Sequence, residues 1–196
     1  MKKSYHISGT GKVTTYNWMF KAARLALEEG NRNEEGQFFH SMNTIVYSAF
    51  ALEAFFNHLG EHFYDDWSKR ERKLSKRKKF ITFLEKCEIK YDLDKEPFSS
   101  AIEAFAFRDQ LAHGKTEEVE ISKPVELTEQ EERFFTIGND WTEFCKIENA
   151  NKVFSDTKDL ISRMFIAADL GDHPFLQFQS SVYNKSLTKG SSSFQG

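Results

Sequence analysis

From Phe38 to Leu59 the residues Phe38, Met42, Ile45, Ala49, Leu52, Phe56 and Leu59 fall alternately four and three positions apart, the spacing that keeps side chains on one stripe of an α-helix. Phe39, Val46, Phe50 and Phe55 widen the stripe on its other sides. A helix apolar over so much of its girth belongs at the centre of a bundle or against a second subunit. The pattern predicts further helices around it. One runs from about Thr15 to Glu29 and stops at Gly30, before the polar turn "NRNEEG". A thin seam of Leu74, Ile81 and Leu84 carries another through a highly charged stretch to about Cys87. The run "KYDLDKEPFSS" reads as a loop, with Pro97 suited to the first turn of a new helix. That helix turns Phe98, Ile102, Phe105 and Ala106 inward and ends at Gly114. Thr128 and Glu131 fit a capping box opening a helix that reaches Lys146, and Asn151 to Leu170 forms the last helix.

Elsewhere the pattern is weaker. The stretch "EEVEISKPVEL" alternates over too few residues to give more than a short extended arm or hairpin near residues 117–127. Residues 1–14 read as a flexible lead-in and 173–196 as a C-terminal tail. The expected organisation is therefore one all-α domain over residues 15–172, an up-and-down helical bundle. The "SGTGK" near the start is no phosphate loop, because His6 stands where the first glycine is needed and Val13 follows Lys12.

Composition agrees with a helical core: 20 Phe against 3 Pro and 10 Gly favours packed helices over many short strands. A net charge of −3 gives no global basic field, so an anionic partner must meet a local patch. One exists in "SKRERKLSKRKK", where Lys69, Arg70, Arg72, Lys73, Lys76, Arg77, Lys78 and Lys79 crowd together with Glu71 as the one acid among them. Such a run suits RNA phosphates, and Phe63, Tyr64 and Trp67 just before it could stack on bases. The same run also suits a solvated helix face with its aromatics in the core. Cys87 and Cys145 are the only cysteines, and with no signal peptide in "MKKSYHISGTGK" they suggest a reducing cytoplasm. The longest uncharged run, Gly36 to Leu52, is too polar to span a bilayer, so no membrane association is expected.

Chemistry concentrates in "FAFRDQLAHG", where an apolar helix suddenly carries Arg108, Asp109 and His113. On a regular helix Asp109 and His113, four apart, lie about 40° from each other, so the carboxylate can hold the imidazole in one tautomer. Arg108 and His113, five apart, lie about 140° from each other and converge only if the helix end bends or a second chain supplies the partner. A final-turn histidine beside a carboxylate suits general acid–base work, but spacing alone favours an ordinary helix end with an Asp/His pair and an exposed Arg. The run "HLGEH", His58 to His62, matches a zinc-peptidase spacing, but Gly60 interrupts it and no third ligand is identifiable, so no metal is assigned.

The run Phe107-Arg108-Asp109-Gln110-Leu111-Ala112-His113-Gly114 resembles the signature of HEPN-domain proteins, in which Arg, a polar residue, several positions and then His occur in an all-helical domain. "YSAFALEAFFNHL" resembles the long helix that packs against that motif, with Glu53 at its usual acidic position. The resemblance spans Phe38 to Gly114 and extends by helix count to about Leu170. It implies a homodimer whose two motifs face each other across a cleft, and a metal-independent endoribonuclease needing no cofactor. His113 would then serve as acid–base group, Arg108 would stabilise the phosphate, and Asp109 and Glu53 would support them. Toxin–antitoxin or defence-like roles accompany some such domains. Others lack activity and serve as nucleic-acid- or protein-binding modules, which is the alternative the resemblance leaves open.

Overall fold

Apolar periodicity sets the centre of the fold. In the computed structural model, which describes residues 4–120, 122, 124–129, 132, 137–176 and 179–187, the long helix α2 spans Gln37–Phe63. It buries Ile45, Ala49, Leu52, Phe55, Phe56 and Leu59 completely. Around it pack α1 (Thr15–Arg32), α4 (Lys76–Lys86), α5 (Phe98–His113) and α7 (Ile147–Ala167). A short α3 (Trp67–Arg70) and a single 3₁₀ turn (Glu71–Lys73) link α2 to α4, and α6 (Asp140–Phe144) precedes α7. The helical bundle expected from the pattern is thus present. No helix among the described residues is long and apolar enough to cross a membrane.

Several local expectations are corrected. Helix α1 continues through Gly30, which is buried; a Cβ there would lie 3.0 Å from the His40 side chain and 3.2 Å from Ile147. That glycine is a point of close helix packing and not a stop. The basic stretch is not one helix: it breaks at Leu74, whose backbone is extended, and restarts at Ser75, whose hydroxyl accepts a bond from the Lys78 amide and caps α4. Gly114 follows α5 without adopting the left-handed cap conformation, its φ being −56°. Described residues between 114 and 128 form neither helix nor strand, so of the short extended arm or hairpin expected near 117–127 the hairpin is not found among them. Glu131 of the expected capping box lies outside the described residues. The short α6 is instead capped by Asn139, whose side-chain oxygen accepts from the Thr142 amide at 3.2 Å.

A sheet forms where loose ends were expected. Strand β1 (Tyr5–Val13) pairs antiparallel with β2 (Gln179–Leu187), from Tyr5 opposite Leu187 to Val13 opposite Gln179. Every residue of β1 is exposed. Tyr5, Ile7 and Val13 do alternate with His6, Ser8, Thr10 and Lys12, but Gly9 and Gly11 interrupt the apolar side and neither face of β1 is buried, so the alternation is too weak to mark a strand.

The core is aromatic. Phe56 meets Phe80, Phe83 and Phe105 at centroid distances of 5.5–6.0 Å, and Trp67 packs against Phe83 at 5.3 Å. Trp67 fits because α2 carries glycine beneath it: a Cβ on Gly60 would lie 2.1 Å from the indole ring. Gly60→Ala is therefore expected to destabilise the fold by ~1–3 kcal/mol through overpacking, despite alanine's better helix propensity. A denaturant midpoint unchanged from the parent would contradict this seating of Trp67.

Candidate functional site

The site begins with the direction of α5. Phe98, Ala101, Ala104, Phe105 and Phe107 face the core, which leaves Arg108 and Asp109 half-buried at the edge of the bundle and His113 exposed at its end. Arg108 lies against α2. Its Nη2 donates to a Glu53 carboxylate oxygen, its Nη1 donates to Asp109 Oδ1 at 2.8 Å, and its Cζ lies 5.4 Å above the Phe50 ring. Arg108 Nε is buried and has no hydrogen-bond partner among the described residues. Asp109 in turn receives Lys76 Nζ, at 2.7 Å from Oδ1 and 2.6 Å from Oδ2. An alternating chain of charge, Glu53–Arg108–Asp109–Lys76, thereby joins α2, α5 and α4.

This corrects the expected role of Asp109. Its carboxylate is committed to Arg108 and Lys76, and no hydrogen bond to His113 occurs among the described residues. His113 is the last residue of α5 and is exposed. Arg108 and His113 belong to one regular helix, in which five residues place them about 140° apart. The motif is therefore not assembled as a pair on a single helix face.

Lys76 also edges a cleft of about 330 Å³ between the start of α4 and the flank of α5. Ile102 and Phe105 form its apolar wall, with Ser75, Lys76, Arg77 and Asp109 completing it. Cations beside an apolar wall suit a group with a flat face and a negative charge. The sequence held no signal for this cleft, since Lys76 and Asp109 are 33 residues apart. The one available hint was that a half-buried Asp beside Arg in an apolar helix calls for further compensation.

The basic run divides in two. Arg70 is bound to Asp66 and lies 4.8 Å over Tyr64; Lys76 holds Asp109; Lys79 meets Asn57 at 3.2 Å, Glu71 at 3.8 Å and the Trp67 ring at 5.5 Å. Lys69, Arg72, Lys73, Arg77 and Lys78 are exposed and have no such partner among the described residues. The aromatics expected to stack on bases are otherwise employed. Trp67 is buried, Tyr64 is stacked on it, and Phe63 and Tyr64 lie under Lys86. The surface therefore offers charge without an aromatic platform. If this face meets RNA phosphates, changing Lys69, Arg72, Lys73, Arg77 and Lys78 to Gln is expected to flatten the salt dependence of RNA binding while leaving the melting midpoint close to the parent's. An identical slope of log affinity against log salt would remove this face from RNA contact.

The rival motif is scattered over two environments. His58 is half-buried, its ring 5.3 Å from that of Tyr16, whereas Glu61 and His62 are exposed. Burial, reinforced by Lys12 and His62, pushes the His58 pKa below its ordinary value. No group of three or more His, Cys, Asp or Glu placed to hold a metal occurs among the described residues. Gly60 between the histidines serves Trp67. The thiols of Cys87 and Cys145 are both buried, and burial raises each to about 11, so neither is a nucleophile at neutral pH.

Comparison with family models, with curated proteins and with solved structures gave no match.

Proposed function

We propose that the protein is a HEPN-like, metal-independent endoribonuclease that acts as a homodimer. The observation that carries the reading is the placement of the "FRDQLAHG" motif. Arg108 is anchored at the edge of the bundle, with Lys76 two links away through Asp109, and His113 is exposed at the end of the same helix. His113 takes the proton from a ribose 2′-OH. The 2′-oxygen then attacks phosphorus, the bond to the 5′-oxygen breaks, and that oxygen leaves with a proton returned by the imidazolium, giving a 2′,3′-cyclic phosphate. Arg108 donates to the non-bridging oxygens as charge builds on them. The incoming phosphate competes with Asp109 and Glu53 for the guanidinium.

The angular separation of Arg108 and His113 calls for two chains. Phe39 and Phe50 are 61% and 36% exposed, and with Asn43 and Val46 they line one stripe of α2 that runs up to Arg108. Covering this stripe with a second copy brings that copy's motif to the same place and buries the exposed rings. Phe39→Asp is accordingly expected to yield a folded monomer without RNA cleavage. Light scattering that shows a wild-type monomer at micromolar concentration, or an active Phe39→Asp monomer, would contradict the composite site.

A second reading is favoured by one feature. Both Nη groups of Arg108 already bind carboxylates, which suits a silent dimer serving as a nucleic-acid- or protein-binding module, in which that arginine only holds α5 to α2.

A further inference from the structure

A separate recess lies where both ends of the chain reach the bundle. It encloses about 390 Å³, within the range of small-molecule pockets. Lys12 of β1, Tyr16 of α1 and His58 of α2 form one side, and the segment after α7, from Leu170 to Pro174 with Leu176, forms the other. The two sides are fastened together, because the buried Tyr16 hydroxyl donates to the Pro174 carbonyl at 2.7 Å. Burial also raises the Tyr16 pKa to about 12, so this tie persists through the physiological range.

The polar lining is unbalanced. Lys12 has no carboxylate partner among the described residues, and it lies close enough to His58 to disfavour the imidazolium. His62, from the next turn of α2, acts on His58 in the same sense. Asp172 and His173 also line the recess, but neither is among the groups that shift His58. The groups that act on His58 are thus Lys12 and His62 alone, and Asp172 is the one carboxylate among the described residues that line the recess. Beside it, Phe165, Leu170 and Leu176 supply apolar wall. A lone cation next to a half-buried imidazole is stabilised by an anion that lets both donate.

We infer that this recess binds a small organic anion, its carboxylate or phosphate head between Lys12 and His58 and its apolar body against Phe165, Leu170 and Leu176. Seating the anion reverses the local field, so His58 becomes easier to protonate and donates to the ligand. Occupancy also bridges β1, α2 and the segment that leads into β2, and so couples ligand to the docking of both chain ends. None of Arg108, Asp109 and His113 takes part, so this site and the ribonuclease reading stand or fall separately.

The test follows the His58 ring resonances by NMR in the full chain during titration with phenyl phosphate, hexanoate and inorganic phosphate. Phenyl phosphate or hexanoate is expected to shift them saturably below ~10 mM and to raise the His58 pKa, with inorganic phosphate weaker because it lacks the apolar body. Comparing phenyl phosphate with hexanoate decides between the two head groups. Lys12→Gln, at an exposed position that should not disturb folding, is expected to weaken binding ~10-fold. Absence of a saturable shift with all three anions, or an affinity unchanged in Lys12→Gln, overturns the inference.

Discussion

Replacing His113 with alanine is expected to lower RNA cleavage by ~10²–10⁴-fold and to leave the melting midpoint, helical content and dimerisation unchanged. The imidazole is exposed, ends its helix and has no hydrogen-bond partner among the described residues, so its removal creates no cavity and orphans no buried group. A large loss of rate without loss of stability is the signature of a group that handles protons. His113→Gln, which keeps hydrogen-bonding capacity but cannot shuttle a proton at neutral pH, should fail equally. Parallel losses of activity and stability would instead make His113 a structural residue.

Arg108→Ala is expected to behave differently, costing both rate and stability. The catalytic loss should reach ~10²–10³-fold, the effect of removing a donor aimed at developing phosphate charge. The stability loss should be on the order of 2–3 kcal/mol, because truncation strips a half-buried Glu53 carboxylate of its partner and leaves Asp109 with Lys76 alone. Adding Glu53→Gln to Arg108→Ala should recover part of the stability and none of the activity, and a double-mutant cycle by urea denaturation would measure the coupling. From sequence, a position near a helix end suggested little burial and a modest cost. The structure raises that expectation by placing the guanidinium between α2 and α5.

How much of this was legible in the chain depends on whether a residue's partner lies within one helix. The α2 stripe was readable because 3.6-residue periodicity is local, and burial of Ile45, Leu52, Phe56 and Leu59 follows it directly. The Arg108–Asp109–His113 cluster was readable as a set of residue types. Its wiring was not, because Asp109 has two neighbours that can claim it and spacing identifies only His113; Lys76, brought in by the break at Leu74–Ser75, lies 33 residues away. Gly30 and Gly60 misled in the same manner. Each looks like a helix breaker in one dimension and is a packing contact in three. The β1–β2 ribbon left only the glycine-interrupted alternation of Tyr5, Ile7 and Val13, since β1 buries nothing and its partner strand lies far along the chain.

Whether Arg108 and His113 perform metal-free cleavage through the ribose 2′-OH is decided by incubating the purified protein with RNA in excess EDTA and identifying the product ends by mass spectrometry. The expected products are fragments ending in 2′,3′-cyclic phosphate, formed by the parent protein, absent with His113→Ala, and absent when the substrate carries 2′-O-methyl groups. Cleavage abolished by EDTA, cleavage of the 2′-O-methyl substrate, or equal cleavage by the parent and His113→Ala would contradict it.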